Sequence, residues 1–284
     1  MSGRIALVTD STAYLPPELL APSGTGPGGV GGIRVVPVQV IIAGTSYAEG
    51  IDVTPAEVAA ALRAFRPVTT SRPAPEDFAA AYAAAAAAGA TGVVSVHLSA
   101  ELSGTYESAV LAARSATIEV RVVDSRTVGM ALGYAVLAGE RAAGATIDEV
   151  EAAVRAEASR TVAYFYVDTL EYLRRGGRIG AAAAFFGSAL AVKPLLHVVD
   201  GRVTPYSKVR TSARALAQLE ELVVGSPGSV DGEITVHHLD ASARAVELAG
   251  RLQARLPGAR IRVIEVGAVV GAHVGPGMVA VVIA

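Results

Sequence analysis

The sequence predicts an α/β fold in two domains, an amino-terminal one with a parallel sheet and flanking helices, then a carboxy-terminal one with a mixed, partly antiparallel sheet. Three observations predict it. Short apolar runs alternate with longer Ala-rich periodic stretches as far as residue 158, the pattern of strands feeding crossover helices. Beyond about Ser159 the run Leu195 to Val209 reads as a hairpin turning at Asp200-Gly201. With 284 residues, 52% of them apolar, the chain has enough material for two cores. The expected division is 1–158 and 159–284.

In the first domain the apolar runs Ile5 to Thr9, Val35 to Ile42, Gly92 to Leu98 and Ile118 to Val123 read as strands. Thr54-Pro55-Ala56-Glu57 combines a capping hydroxyl, a proline at the first helical position and a glutamate three residues after the cap, so a helix begins there. Thr146-Ile147-Asp148-Glu149 repeats the capping-box logic. The Ala-rich run Ala79 to Ala90 favours a helix with a small-residue packing face. In the second domain Thr161 to Val167 reads as a strand and a helix follows the hairpin from about Thr211. Strands at Ile234 to Leu239, Ile261 to Val266 and Met278 to Ile283 accompany a helix over Ser242 to Leu256. Pro22 to Gly32 contains a literal GxGxxG at Gly24, Gly26 and Gly29. That run carries a proline and leads into a strand, whereas a dinucleotide fingerprint opens a helix, so it reads as a loop.

Composition narrows the functional classes. The net charge is -2 and no block of like charge occurs, which leaves no nucleic-acid or anionic-membrane footprint. The chain has no cysteine, so thiolate and cysteine-zinc chemistry are absent. Apolar runs are interrupted by charge, Gly or Pro before they reach bilayer-spanning length, and the amino terminus lacks a signal-peptide pattern; a soluble, cytoplasmic protein without stable membrane insertion is expected. Adjacent His237 and His238 point to opposite faces of a strand, a poor metal site, so no metal is expected.

Polar residues cluster where strands end: Thr9-Asp10-Ser11-Thr12, Thr69-Thr70-Ser71, Ser99 with Ser103-Gly104-Thr105, and Arg210-Thr211 together with His273. Ligands of open α/β sheets gather at the carboxyl ends of strands. Ser103, Gly104 and Thr105 fall at the cap and first turn of a helix, where free N–H groups and the dipole favour an anion. An ordinary serine cap fits the same segment. Asp10 or Ser11 could serve a hydrolase or phosphatase, although no Walker A sequence, G-x-S-x-G elbow or accompanying base is present.

Taken together, "VTDSTAYLP", "TTSRPAPEDF", "HLSAELSGTYESA", "RVVDSRTVGMALGY", "LRRGGRIG", "VTPYSKVRT" and "VGAHVGPGMVAVV" resemble the DegV family of bacterial lipid-binding proteins, which includes the fatty-acid-binding subunits of fatty acid kinase. The resemblance covers essentially the whole chain. It implies a non-catalytic carrier that encloses one long-chain fatty acid, such as palmitate, stearate or oleate, near the domain junction, uses no cofactor, and presents the carboxylate to a separate kinase for conversion to acyl phosphate. By motif it assigns the carboxylate to Thr70, Ser71, Ser103, Gly104 and Thr105. Arg210, His273 and Arg178 become head-group or kinase-facing residues, with His273 supplying pH-sensitive positive charge. A lipid sensor or store without a kinase partner shares the same pocket. The sequence departs from the family where Arg72 replaces a usual Gln, at Ala100-Glu101, and in the long Gly-rich loop.

Overall fold

The structure, a computed structural model, describes residues 4–17, 32–185 and 193–284, and the GxGxxG at Gly24 to Gly29 lies outside them. The first part of the chain runs β1 (Ile5–Asp10), β2 (Arg34–Val36), β3 (Gln39–Ile42), β4 (Thr45–Ala48), α1 (Pro55–Arg63), β5 (Val68–Ser71), α2 (Pro75–Ala87) and β6 (Gly92–His97). It continues through α3 (Thr105–Ala113), β7 (Glu119–Asp124), α4 (Met130–Arg141) and α5 (Ile147–Arg160). The remainder holds β8 (Val162–Tyr166), α6 (Glu171–Arg175), β9 (Lys193–Val199), β10 (Arg202–Val209) and α7 (Ser212–Val224). It closes with β11 (Glu233–His238), α8 (Ser242–Arg255), β12 (Arg260–Glu265), α9 (Ala268–Val274) and β13 (Val279–Ile283).

Contacts divide the chain into two compact units, one of residues 1–39 and 71–160, the other of residues 40–70 and 161–284. The contiguous division expected at 158/159 therefore differs in one substantial respect: residues 40–70 pack with the second unit. The reason is tertiary. The buried Glu49 carboxylate accepts the Val269 N–H at 2.7 Å, capping α9, and Arg63 pairs with Asp240.

In the first unit the strand order is β2-β1-β6-β7, every pair parallel. All six residues of β1 and all six of β6 are buried, as strands covered on both faces require. Leu7, Val94 and Val96 pack with Leu132 and Val136 of α4 and Val150 of α5. Val8 and Val93 pack on the other side with Phe78 and Tyr82 of α2 and Ala109 of α3. The strand expected over Val35 to Ile42 is broken into β2 and β3 at Pro37. Proline cannot donate to a ladder, and the next donor, Val38 N–H, goes to Ser11 Oγ at 3.0 Å.

In the second unit the six strands run β10-β9-β8-β13-β11-β12. Only β11 and β12 pair in parallel among them, so the sheet is mixed. Asp200 and Gly201, with φ of 51° and 79°, turn the β9–β10 hairpin as the sequence indicated. Tyr166, Leu195, Ile234, Val236 and Val281 form a core with Leu219 of α7 and with Leu248 and Leu252 of α8. A smaller sheet of order β4-β3-β5 accompanies α1, whose Thr54–Glu57 capping box forms in full.

Candidate functional sites

Parallel strands β1 and β6 bring Asp10 and His97 to the carboxyl edge of the first sheet. Leaving β6, the chain is tied down at three successive residues: Leu98 N–H donates to Asp10 Oδ2 at 3.0 Å, Ser99 N–H to the Thr127 carbonyl at 2.9 Å, and Ala100 N–H to Asp124 Oδ1 at 3.2 Å. A loop fixed this way delivers Ser103 to the start of α3. The Ser103 and Thr105 hydroxyls lie 2.9 Å apart, and Thr105 N–H points at Ser103 Oγ at 3.4 Å. Gly104 occupies the N-cap position and provides no side-chain cap. Arg72 lies across it. A Cβ added at Gly104 would stand 2.8 Å from Arg72 Nη1 and 2.9 Å from Cδ. Two hydroxyls, a glycine backbone and a guanidinium thus converge at a helix amino terminus, a combination chemically suited to an anion. Glu101 is solvent-exposed, and so is Ser71, whose hydroxyl contacts the Arg72 carbonyl at 3.4 Å.

Asp10 is fully buried with both oxygens occupied. Oδ1 accepts from Thr12 N–H at 3.1 Å and from Thr12 Oγ1 at 2.5 Å, while Oδ2 faces His97 Nδ1 at 3.1 Å as well as Leu98 N–H. His97 Nε2 meets Ser95 Oγ at 2.7 Å, and Tyr82 donates its hydroxyl to Ser95 Oγ at 2.9 Å. Burial pushes the Tyr82 phenol up to about 12, so it stays a donor. Of the two nucleophiles considered for a hydrolase, Asp10 therefore has no exposed surface, while Ser11 is partly buried and its Oγ accepts the Val38 N–H. Sequence reading missed this chain of groups, although the Ser95-x-His97 spacing on a strand already puts both side chains on one face.

In the second unit Thr70, on β5, meets His273, on α9: Thr70 Oγ1 and His273 Nε2 are 2.8 Å apart. The ring sits against Gly176, where an added Cβ would fall 2.1 Å from Nδ1, and Nδ1 itself has no hydrogen-bond partner among the described residues. Arg178 Nη1 donates to the Gly176 carbonyl at 2.5 Å. Burial, reinforced by the nearby Arg178 charge, pushes the His273 imidazole down to about 4. The positive charge expected of His273 at neutral pH is accordingly absent. A desolvated ring beside a guanidinium stays neutral. Arg210, at the end of β10, is exposed. His237 and His238 are both buried strand residues, and His238 Nδ1 lies 3.7 Å from Glu265. Asp168, between Lys193 at 3.5 Å and Arg244 at 3.6 Å, forms a charged cluster that sequence reading also missed.

No group of three or more His, Asp or Glu among the described residues is arranged to hold a metal, and no helix among them is long and apolar enough to cross a membrane. A cleft of about 280 Å³ opens at the opposite, amino-terminal edge of the first sheet, beside Ile5, Gly92 and Glu119.

Fold and polar loops together define a two-unit α/β protein whose strands end in hydroxyl-rich turns. The profile of the family described as "Uncharacterised protein, DegV family" matches residues 4–284, and the chain belongs to the DegV family. It is 52% identical to a DegV domain-containing protein of Streptomyces coelicolor, covering 100% of this chain and 99% of that one. Among solved structures it is similar to a DegV family protein of Thermus thermophilus described by its fatty acid binding, with 34% identity, TM-score 0.89 and 99% of each chain covered. A second, DegV of Bacillus subtilis, described as a fatty acid binding protein, shares 30% identity with TM-score 0.87, again over 99% of both chains.

Proposed function

We propose that this chain binds one long-chain free fatty acid and acts in the cytoplasm as a non-catalytic carrier, presenting the carboxylate to a separate ATP-dependent fatty acid kinase that converts it to an acyl phosphate. The observation that carries the reading is the similarity, along nearly the whole chain, to two solved DegV proteins described as fatty-acid-binding. Local chemistry supports it. Ser103, Gly104 and Thr105 are the proposed carboxylate ligands in the first unit, with Arg72 adding positive charge and Ser71 adjoining it. In the second unit Thr70 is proposed as a further ligand, its hydroxyl oriented by His273. Arg178 and the exposed Arg210 are proposed as the cations nearest the head group and the kinase.

Energetics divide the labour. At about 0.8 kcal/mol per methylene, a palmitoyl tail supplies roughly 11 kcal/mol gross, so burial of the tail dominates affinity. Each charge-assisted hydrogen bond adds roughly 1.5 to 3 kcal/mol and fixes which end of the ligand is presented. Hydroxyl ligands hold a carboxylate less firmly than a bidentate arginine and so suit a carrier that must hand it over.

Titration with palmitate tests binding, and a coupled assay with kinase and ATP tests presentation. Ser103→Ala should weaken palmitate by about tenfold or more. Arg210→Glu should abolish acyl phosphate formation while weakening palmitate far less than Ser103→Ala does. A protein that binds no palmitate contradicts the carrier reading, and full acyl phosphate yield with Arg210→Glu contradicts the kinase-facing assignment.

A further inference from the structure

The buried chain Tyr82–Ser95–His97–Asp10 has the shape of a catalytic triad and cannot act as one. Ser95 Oγ has the required 2.7 Å contact with His97 Nε2, and His97 Nδ1 has the required 3.1 Å contact with Asp10. All four residues are almost fully buried, however, and Ser95 sits in mid-strand with its oxygen taken by the Tyr82 hydroxyl. A nucleophile must be reachable by its substrate.

The ring proton follows from the acceptor. Asp10 Oδ2 accepts, so the ring proton is on Nδ1 and points at it, leaving Nε2 to face Ser95 Oγ; the Tyr82 hydroxyl reaches both Ser95 Oγ at 2.9 Å and the Ala109 carbonyl at 3.4 Å. His97 thereby keeps its Nδ1 donor aimed at Asp10. The edge of Phe78 packs on its ring, centroids 4.9 Å apart and planes at 74°, which fixes the orientation. Asp10 Oδ2 receives this donor together with Leu98 N–H, the first tie of the loop that ends at Ser103. With one of its four donors removed, a buried carboxylate must recover the lost hydrogen bond by moving, and Leu98 moves with it.

We propose that His97 is a positioning residue: through Asp10 it sets the loop that places the Ser103 hydroxyl, and so controls recognition of the head group while leaving the tail alone. The inference rests on the fatty-acid reading above and adds a determinant of which head group is accepted.

The experiment uses the full chain and two probes that share a tail, palmitate and hexadecanol, together with thermal midpoints and long-range ¹H–¹⁵N NMR of the histidine rings. Wild-type His97 should show a protonated Nδ1 and a bare Nε2. His97→Leu should weaken palmitate about tenfold while hexadecanol stays within about twofold. His97→Asn, which restores a donor near the Nδ1 position, should recover most of the palmitate affinity. Ser95→Ala, which leaves the Nδ1–Asp10 contact in place, should keep the proton on Nδ1 and hold palmitate affinity within about twofold. Should His97→Leu fail to fold, the contrast between His97→Asn and the wild type carries the test. Equal losses for both ligands, no loss in a folded His97→Leu, or a protonated Nε2 in the wild type would overturn the proposal. A wild type that binds neither probe would overturn the carrier reading instead, and the tautomer would then decide the relay by itself.

Discussion

Among the described residues the His273 imidazole makes one hydrogen bond, with Thr70, and burial holds its titration down to about 4. Unfolded, the same ring titrates near 6.5. Between these values the unfolded chain binds more protons than the native one, so stability is intact above pH 6.5 and is lost as the pH falls toward 4. For His273 alone the loss is roughly 3 kcal/mol, and His237, also held down to about 4 by burial, titrates in the same direction. His197 and His238 are lowered by burial as well, so urea unfolding across this window should show His273→Gln with a shallower but not abolished acid slope; an unchanged slope would mean the ring is accessible to protons in the native state. What the sequence made legible at this scale was residue type and spacing. Ser103-Gly104-Thr105 announces a helix start suited to an anion, because every part of that signal is local. Neither the charge state of His273 nor the Asp10–His97 contact could be read. The first depends on burial against Gly176, and the second on the β1–β6 register, which pairs Thr9 with Val96.

Local chemistry also shapes whole elements. Helix α1 ends in a Schellman arrangement, with Phe65 N–H donating to the Leu62 carbonyl at 3.1 Å and Arg66 N–H to the Ala61 carbonyl at 2.9 Å. The position that needs a left-handed backbone, usually glycine, holds Phe65 at φ 54°, with its side chain 84% exposed. Strain there is offset by no packing, so Phe65→Gly should raise stability by up to about 1 kcal/mol in a urea titration. A loss would show that Phe65 is held by contacts. Caps and turns were the best-read features: Thr54, Thr146 and Asp200-Gly201 all carry short-range signals and all form. The division of Val35 to Ile42 into two strands follows from Pro37, a breaker visible in the sequence. Where the freed Val38 N–H goes is decided by Ser11, 27 positions earlier.

For the whole molecule, the change from crossover to hairpin chemistry after Ser159 correctly announced a parallel sheet followed by a mixed one. Allocation of residues 40–70 to the second unit was not legible, since it is made by long-range partners such as Glu49 with Val269 and Arg63 with Asp240. Nothing in a short window encodes such pairs. Function follows the same rule, because each proposed ligand by itself could be an ordinary cap or loop residue and only their joint occurrence, along a chain that matches the DegV family from residue 4 to 284, points to a carboxylate. The account stands on a bound lipid. Its most direct test is native mass spectrometry of the protein purified from a bacterial host, followed by denaturing release and identification of what it carried. The account predicts one fatty acid per chain, of roughly 14 to 18 carbons, depleted in a folded Thr70→Ala/Ser103→Ala double variant. A protein that emerges empty and also refuses added palmitate would contradict it.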